Sequence, residues 1–137
     1  MTAAPTAPTF VVGLGCRRGC SAEELLTLIQ TSLSHAGITL SEVRALASID
    51  GKRDEPGLIR LAQQLKRPLH VFSAQQLAAF APRLSHRSPV SFTHTGCFGV
   101  AESAALALCE CLSGNRATLQ VTRQTSDNAT FALATRQ

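Results

Sequence analysis

The 137-residue chain has no tryptophan, no tyrosine and a single methionine, and its only aromatic residues are six phenylalanines. Proteins that hold single-stranded nucleic acid stack bases on aromatic platforms, and this chain has none to offer. An isoelectric point of about 9.1 does not by itself restore that class, so no nucleic-acid partner is expected. Long apolar runs are also missing. The longest, Ala104 to Cys109, falls far short of the roughly 18 residues of a membrane span and reads as a buried helix segment. No membrane partner is expected either. Met1 to Thr9 is Ala, Pro and Thr without a basic start, and the apolar stretch after it is broken by Gly13 and Gly15. Residues 1–9 therefore read as a disordered tail and not a signal peptide, with a single domain over 10–137. The five cysteines are odd in number and lack a framework spacing, which suits reduced thiols in a cytoplasmic protein. Charge is scarce as well: 16% of residues are charged, against roughly 25% in soluble domains. The net charge of +4 thus comes from few ions in few places.

What is present is a core. Hydrophobic residues make up 45% of the chain, mostly Leu, Ala and Val, enough for one packed domain. Phe10 to Gly15 is a short apolar run stopping at glycines, as a buried strand does on entering a tight loop. Ser21-Ala22-Glu23-Glu24 reads as a capping box, with Ser21 accepting from the Glu24 amide and Glu24 reaching back. Leu25, Leu28, Ile29 and Leu33 follow at helical spacing, and Gly37 closes the helix. Val43 to Ile49 reads as a second strand. A polar loop, Asp50 to Glu55, leads to Pro56 in the first turn of a helix striped by Leu58, Leu61, Ala62 and Leu65 and stopped by Pro68. Leu69 to Phe72 reads as a third strand, and Ser73-Ala74-Gln75-Gln76 as a second capping box opening a short helix. Residues 82–96 read as irregular. Phe98 to Leu112 is small and apolar almost all round, which predicts a deeply packed helix ending at Gly114. Ala117 to Thr122 and Thr130 to Ala134 read as a hairpin turning at Thr125 to Asn128. The order predicts a three-layer α/β/α domain. Its mixed sheet has about five strands, parallel in the N-terminal part and closed by a C-terminal antiparallel hairpin.

Three loops hold the residues that can carry chemistry. In the first, Gly13 and Gly15 let the backbone turn tightly, and amides at the start of the following helix suit an anion. Cys16 lies beside them, and Arg17 and Arg18 add bidentate donors for carboxylates or phosphates. The plainer reading is a glycine turn with solvated arginines. The loop is neither a Walker A sequence nor the Gly-x-Gly-x-x-Gly fingerprint, because three residues separate its second and third glycines. The second loop follows a parallel strand and so reaches the same sheet edge. There Ser48, Asp50 and Lys52 are candidates for the same pocket, with Asp54 or Glu55 as a plain helix cap. In the third, Ser91, Thr95 and Gly96 precede the buried helix and suit an oxyanion, with Glu102 in that helix's first turns. The plainer reading makes Thr95 an N-cap and Glu102 a dipole partner. No cysteine or histidine spacing fits a metal, and no cofactor is expected; Cys16, Cys20 and Cys97 are candidates for reactive thiols near helix N-termini.

In order along the chain, four segments stand out: Gly13-Leu14-Gly15-Cys16-Arg17-Arg18-Gly19; Leu46-Ala47-Ser48-Ile49-Asp50-x-Lys52-x-Asp54-Glu55-x-Gly57-Leu58; Phe72-Ser73-Ala74-x-x-Leu77; and Thr95-Gly96-x-x-Gly99-Val100-Ala101-Glu102-x-Ala104-Ala105. Together they resemble the cobalamin-biosynthesis CobE / CbiG C-terminal family over residues 10 to 135. The resemblance implies a role in building the corrin ring of vitamin B12, on or with a polycarboxylated precorrin or corrinoid tetrapyrrole, and with other corrin-pathway enzymes as candidate partners. In longer relatives a similar domain closes a protein that opens the lactone of cobalt-precorrin-5A. The N-terminal portion of those relatives has no counterpart in these 137 residues, so that reaction is not carried over. Arg123 stands where relatives often have Lys, which keeps the charge. Two other readings rest on the residues alone: an enzyme for a small phosphorylated ligand or nucleotide, and a protein-binding accessory subunit.

Overall fold

Along β1 (Phe10–Cys16) successive side chains point to opposite faces of the sheet, and both faces are buried. Phe10, Val12 and Leu14 pack into one apolar layer, while Val11 packs into the other. In the computed structural model, which describes residues 9–137, β1 is the central strand of five in the order β3-β2-β1-β5-β4. It pairs in parallel with β2 (Val43–Ile49), which pairs in parallel with β3 (Leu69–Phe72). On its other side β1 runs antiparallel to β5 (Ala129–Arg136), which pairs antiparallel with β4 (Ala117–Thr125). The mixed, three-layer architecture expected from the sequence is the one observed. Of the expected tail, residues 1–8 lie outside the described residues; Thr9 is buried, with its carbonyl 3.9 Å from the Cys109 thiol.

One face of the sheet is covered by α1 (Ala22–Ala36) and α2 (Pro56–Leu65), whose leucines form the layer with Phe10, Val12 and Leu14. Each fully buried leucine there contributes roughly 1.5–3 kcal/mol. Pro56 stands in the first turn of α2, where a missing amide costs nothing, and Lys66 closes the helix in the left-handed region at φ 54°. Ahead of α1, Ser21 accepts the Glu24 amide at 3.1 Å, as expected of the cap. The second half of the expected capping box is not formed. The Glu24 carboxylate turns away to the β4–β5 turn, where it accepts from the Ser126 hydroxyl and from both nitrogens of Asn128. Three donors offered by a neighbouring turn outweigh one from its own helix. The other capping box is complete: α3 (Ala74–Ala78) begins with reciprocal bonds between Ser73 and Gln76.

The opposite face carries α5 (Val100–Ser113), which starts two residues later than Phe98 because Gly99, in extended backbone, is its N-cap. Thr95 is therefore not the cap. The segment 82–96, expected to be irregular, contains α4 (Pro89–Thr95), capped by Ser88 through the Ser91 amide and closed by Gly96 at φ 77°. Its signal is hidden because the helix is two turns long and leaves Val90 and Phe92 67% and 48% exposed, so no apolar stripe marks a core face.

α5 lies directly on β1. A Cβ at Gly13 would stand 1.9 Å from the Ala101 carbonyl oxygen and 2.8 Å from the Ala105 nitrogen, both backbone atoms. Such a contact cannot be relieved by rotating a side chain, so Gly13→Ala should cost more than about 3 kcal/mol, above the ordinary range for overpacking. Urea unfolding checks this; a wild-type midpoint would show that α5 is not held at this distance. The Glu24 clamp predicts a pH effect. Hydrogen bonds from Ser126 and then Asn128 hold its pKa below the usual 4.5. A depressed carboxyl pKa contributes stability above its unfolded value, and that stability is lost as pH falls through the folded one. Glu24→Gln should accordingly lower the melting temperature at pH 7, and the gap from wild type should close as pH falls below 4.5. A gap constant with pH would assign the effect to something other than the charge.

Candidate ligand-binding cleft

The carboxyl ends of β1 and β2, the turn joining β4 to β5, α4 and the start of α5 surround a cleft of about 780 Å³. This is the edge where ligand sites form in α/β sheets. The antiparallel course of β5 is what brings the hairpin turn there, since Cys16 pairs with Ala129 and Gly15 with Thr130. Of the residues expected to form a site, Gly15, Cys16, Arg17, Arg18, Asp50, Lys52, Ser91, Thr95 and Glu102 line this cleft. Gly13, Ser48 and Gly96 do not. Gly13 is pressed against α5, as described above. Ser48 is fully buried and donates to the Leu14 carbonyl at 2.7 Å, tying β2 to β1. Gly96 closes α4 and is exposed.

The two N-terminal loops meet as expected, through a residue read only as a helix cap. Glu55, 8% exposed, occupies the position ahead of α2 but makes no cap bond. One of its oxygens accepts the Gly19 amide from the first loop at 3.0 Å, and the other faces the Lys52 ammonium of the second at 3.8 Å.

The first loop does not offer its backbone to an anion in the way its glycines suggest. The Arg17 amide donates to the Asn128 carbonyl at 2.8 Å, the Gly19 amide to Glu55 and the Cys20 amide to the Arg17 carbonyl at 3.1 Å. With these three amides committed, Arg18 and the Arg17 side chain are what the loop presents to an anion. The third segment is corrected in the same sense. Ser91 donates to the Cys97 carbonyl at 2.9 Å, and the Thr95 hydroxyl is shared between the carbonyls of Ser91 and Cys97. Thr93 donates to the Pro89 carbonyl. These hydroxyls hold the α4–α5 junction in shape and have no proton left for an oxyanion.

Glu102, 1% exposed, is more than a helix-dipole partner. Its carboxylate accepts from the Ser85 amide at 2.9 Å, the Ser85 hydroxyl, the His86 amide at 3.4 Å and the Arg123 amide at 2.9 Å. A carboxylate in the first turn of α5 thereby pins both the segment before α4 and strand β4 at the cleft. Ser85 stands between Glu102 and His86 Nδ1, so no histidine links the hydroxyl to the carboxylate, as a serine-hydrolase relay requires.

Several lining residues were not among the expected site residues: Val90, His94, Phe98, Arg123, noted only for keeping the charge of a Lys in relatives, and Ser126 to Asn128, read only as a turn. The hairpin itself was legible. Its place at the ligand edge follows only from β5 pairing with β1. The cleft has two characters: Arg17, Arg18, Lys52 and Arg123 supply four cations from three elements, and Val90 and Phe98 supply apolar surface from the α4 side. Asp50 and Asp127 also line it, and Glu102 is saturated with donors.

A family model described as "Cobalamin synthesis G C-terminus" matches residues 10–134. Over 125 residues the chain is 40% identical to "Protein CobE" from Sinorhizobium sp, covering 91% of this chain and 79% of that protein. It is 32% identical over 125 residues to the cobalt-precorrin-5A hydrolase of Priestia megaterium, again 91% of this chain but only 32% of the hydrolase. The chain thus spans about a third of that enzyme. Among solved structures, that of CobE, a protein from the cobalamin (vitamin B12) biosynthetic pathway, has a TM-score of 0.93 at 48% identity, covering 98% of this chain and 95% of that one.

Thiol chemistry is disfavoured in the cleft. Burial pushes the Cys16 thiol up to about 12, with Lys52 pulling partly the other way. Burial, then Glu24 and Glu55, also raises Cys20, and Cys97 is buried. At Cys16 and Cys20 the helix N-termini that were expected to activate the thiols are outweighed by desolvation and nearby carboxylates. Among the described residues no group of three or more His, Cys, Asp or Glu could hold a metal ion, and no single helix is long and apolar enough to cross a membrane. An alkylating reagent at pH 8 should modify exposed Cys111 first and leave Cys16 intact in the folded protein. Peptide mass mapping reads the outcome, and equal labelling of the two would show Cys16 to be ionised.

Proposed function

The chain belongs to the cobalamin synthesis G C-terminus family, with its role in corrin-ring synthesis, and from that premise we propose that the cleft binds a polycarboxylated precorrin or corrin intermediate. The observation that carries the proposal is the pairing of cations and apolar surface within one opening. Such a ligand is broad and flat with carboxylates around its rim. Arg17, Arg18, Lys52 and Arg123 suit the rim, and the surface of Val90 and Phe98 suits the ring. The volume falls within the roughly 300–1,000 Å³ usual for ligand sites, and the open side leaves room for a ligand that projects beyond it.

The nucleotide reading loses support from the first loop. A phosphate cradle needs free backbone amides, and those of Arg17, Gly19 and Cys20 are committed within the protein. Lactone opening, which the hydrolase's name implies for a protein three times as long, is not part of the proposal. Incubation with trapped intermediates, followed by mass spectrometry of bound and converted ligand, separates carrying from transformation. Recovery of another corrin-pathway enzyme only when ligand is present would place the chain as a donor to that enzyme.

Arg17→Ala, Lys52→Ala and Arg123→Ala should each weaken binding of a corrin polycarboxylate while leaving the fold intact. Each desolvated charge-assisted contact is worth roughly 1.5–3 kcal/mol, and less where water screens it. Lys52 should show the smaller loss, since its ammonium is already shared with Glu55. Affinity should fall as salt rises, because exposed charges are screened within about 10 Å at 0.1 M. Amidating the ligand's carboxylates should weaken binding too. Absorbance titration checks all of these, and unchanged affinity across variants, salt and amidation would assign these cations another purpose.

A further inference from the structure

Of the four cations in the cleft, Arg123 is the one carried by a strand. Strand β4 lies at the edge of the sheet, and its pairing with β5 is irregular at that point. Val121 stands opposite Leu133 and Gln124 opposite Phe131, so Thr122 and Arg123 together oppose Ala132. Two residues against one make a β-bulge, a device that re-aims a side chain. The packing shows why one is needed. Val121 packs with the α1 layer, and strict alternation would return Arg123, two residues on, to that side of the sheet. It lines the cleft instead, together with Val100, Ala101 and Glu102 of α5.

A bulge needs a brace, because its extra residue has no place in the ladder. Glu102 supplies it. One carboxylate oxygen accepts the Arg123 amide at 2.9 Å and the Ser85 hydroxyl, and the other accepts the amides of Ser85 and His86 at 2.9 and 3.4 Å. The carboxylate is 1% exposed, and the cost of burying it is offset by these bonds from neutral groups. Only a carboxylate has acceptor sites for so many donors at once; a Gln amide keeps a single oxygen.

We propose that Glu102 is a positioning residue for ligand recognition. By bracing the bulge it aims the Arg123 guanidinium at one carboxylate on the rim of the ring, and by holding Ser85 and His86 it sets the distance from that cation to the α4 wall. The proposal rests on the reading of the cleft as a site for a polycarboxylated tetrapyrrole. It also gives Arg123 a different task from Arg17, Arg18 and Lys52. Those three stand on loops, whereas a cation on a braced strand is held in advance of binding. Arg123 thereby sets which way round a ring with several similar carboxylates must lie.

Glu102→Gln isolates the effect. Turned so that its oxygen keeps the Ser85 and His86 amides, the glutamine places its nitrogen against the Arg123 amide, donor facing donor, and the bulge loses its brace. Hydrogenobyrinic acid, a metal-free corrin with free carboxylates, is titrated by absorbance into wild type, Glu102→Gln, Arg123→Ala and the double variant, with folding checked by melting. Arg123→Ala should weaken binding about tenfold or more, and Glu102→Gln should approach that loss. The double variant should bind no more than about twofold worse than Arg123→Ala alone. Losses that multiply would show Glu102 acting apart from Arg123 and would overturn the proposal, as would wild-type affinity in Glu102→Gln. Where the glutamine variant does not fold, Glu102→Asp, one carbon shorter with its charge kept, enters the same cycle under the same two readings. Wild-type protein gives a measurement independent of both. The Arg123 Nε–H resonance, assigned by its absence in Arg123→Ala, should shift when the corrin binds; an unmoved resonance would overturn the proposal while leaving the tetrapyrrole reading in place. Failure of hydrogenobyrinic acid to bind wild-type protein would bring down that reading, and the inference with it.

Discussion

Everything at the cleft depends on how closely α5 lies against β1. The helix backbone comes within a van der Waals radius of where a Cβ would stand on Gly13, an approach that only glycine on the strand permits. Ala101, Ala104 and Ala105 on the facing side of the helix keep that layer thin. With the axis so fixed, the first turn of α5 stands at the carboxyl edge of the sheet, and Glu102 can reach the segment before α4 and strand β4 together. A helix seated farther out, on larger side chains, would carry Glu102 away from both and open the back of the cleft.

A division of labour between acidic and basic residues follows. Besides Glu42, which accepts the Thr39 amide of its own turn, four glutamates serve as internal acceptors: Glu24 for the hairpin turn, Glu55 for the first loop, Glu102 for the segment before α4, and Glu110 for the Ala117 amide and the Arg83 guanidinium. Each is a charge-assisted contact that fixes a loop whose own sequence would not hold it. The chain has only 9 acidic residues against 13 basic ones. By committing several acids to its own amides, it leaves basic side chains such as Arg17, Arg18 and Arg123 turned toward an open site. Four of the 13 basic side chains thus meet at one opening, beside the carboxylates of Asp50 and Asp127.

The sequence reading recovered most of the elements because their signals are local and agree with one another. Ser21 and Gly37 bracket α1, Pro56 opens α2, and the glycines at 13 and 15 break an apolar run. Its misses are long-range. Nothing near Glu24 announces that its partners lie at Ser126 and Asn128, more than a hundred residues on, and nothing near Arg17 announces that its amide belongs to the Asn128 carbonyl. Reading free amides and hydroxyls from residue types alone overstates what a loop can give a ligand, since the same groups are the ones a fold uses to hold its loops. α4 escaped for the opposite reason: its exposed Val90 and Phe92 face away from any core, so a periodicity test aimed at burial has nothing to detect.

The central position of β1 also bears on synthesis. One of its edges is covered by β2, some 30 residues later, but the other waits for β5, where Phe10 pairs with Thr135, more than a hundred residues on. Until β5 has been made, the apolar strand β1 has one unpaired edge. The sheet cannot close from its N-terminal half alone, and contacts of such high sequence separation make for slow folding with a vulnerable interval. The pairing that carries the hairpin turn to the cleft therefore also makes the newborn chain dependent on β5, more than a hundred residues after β1.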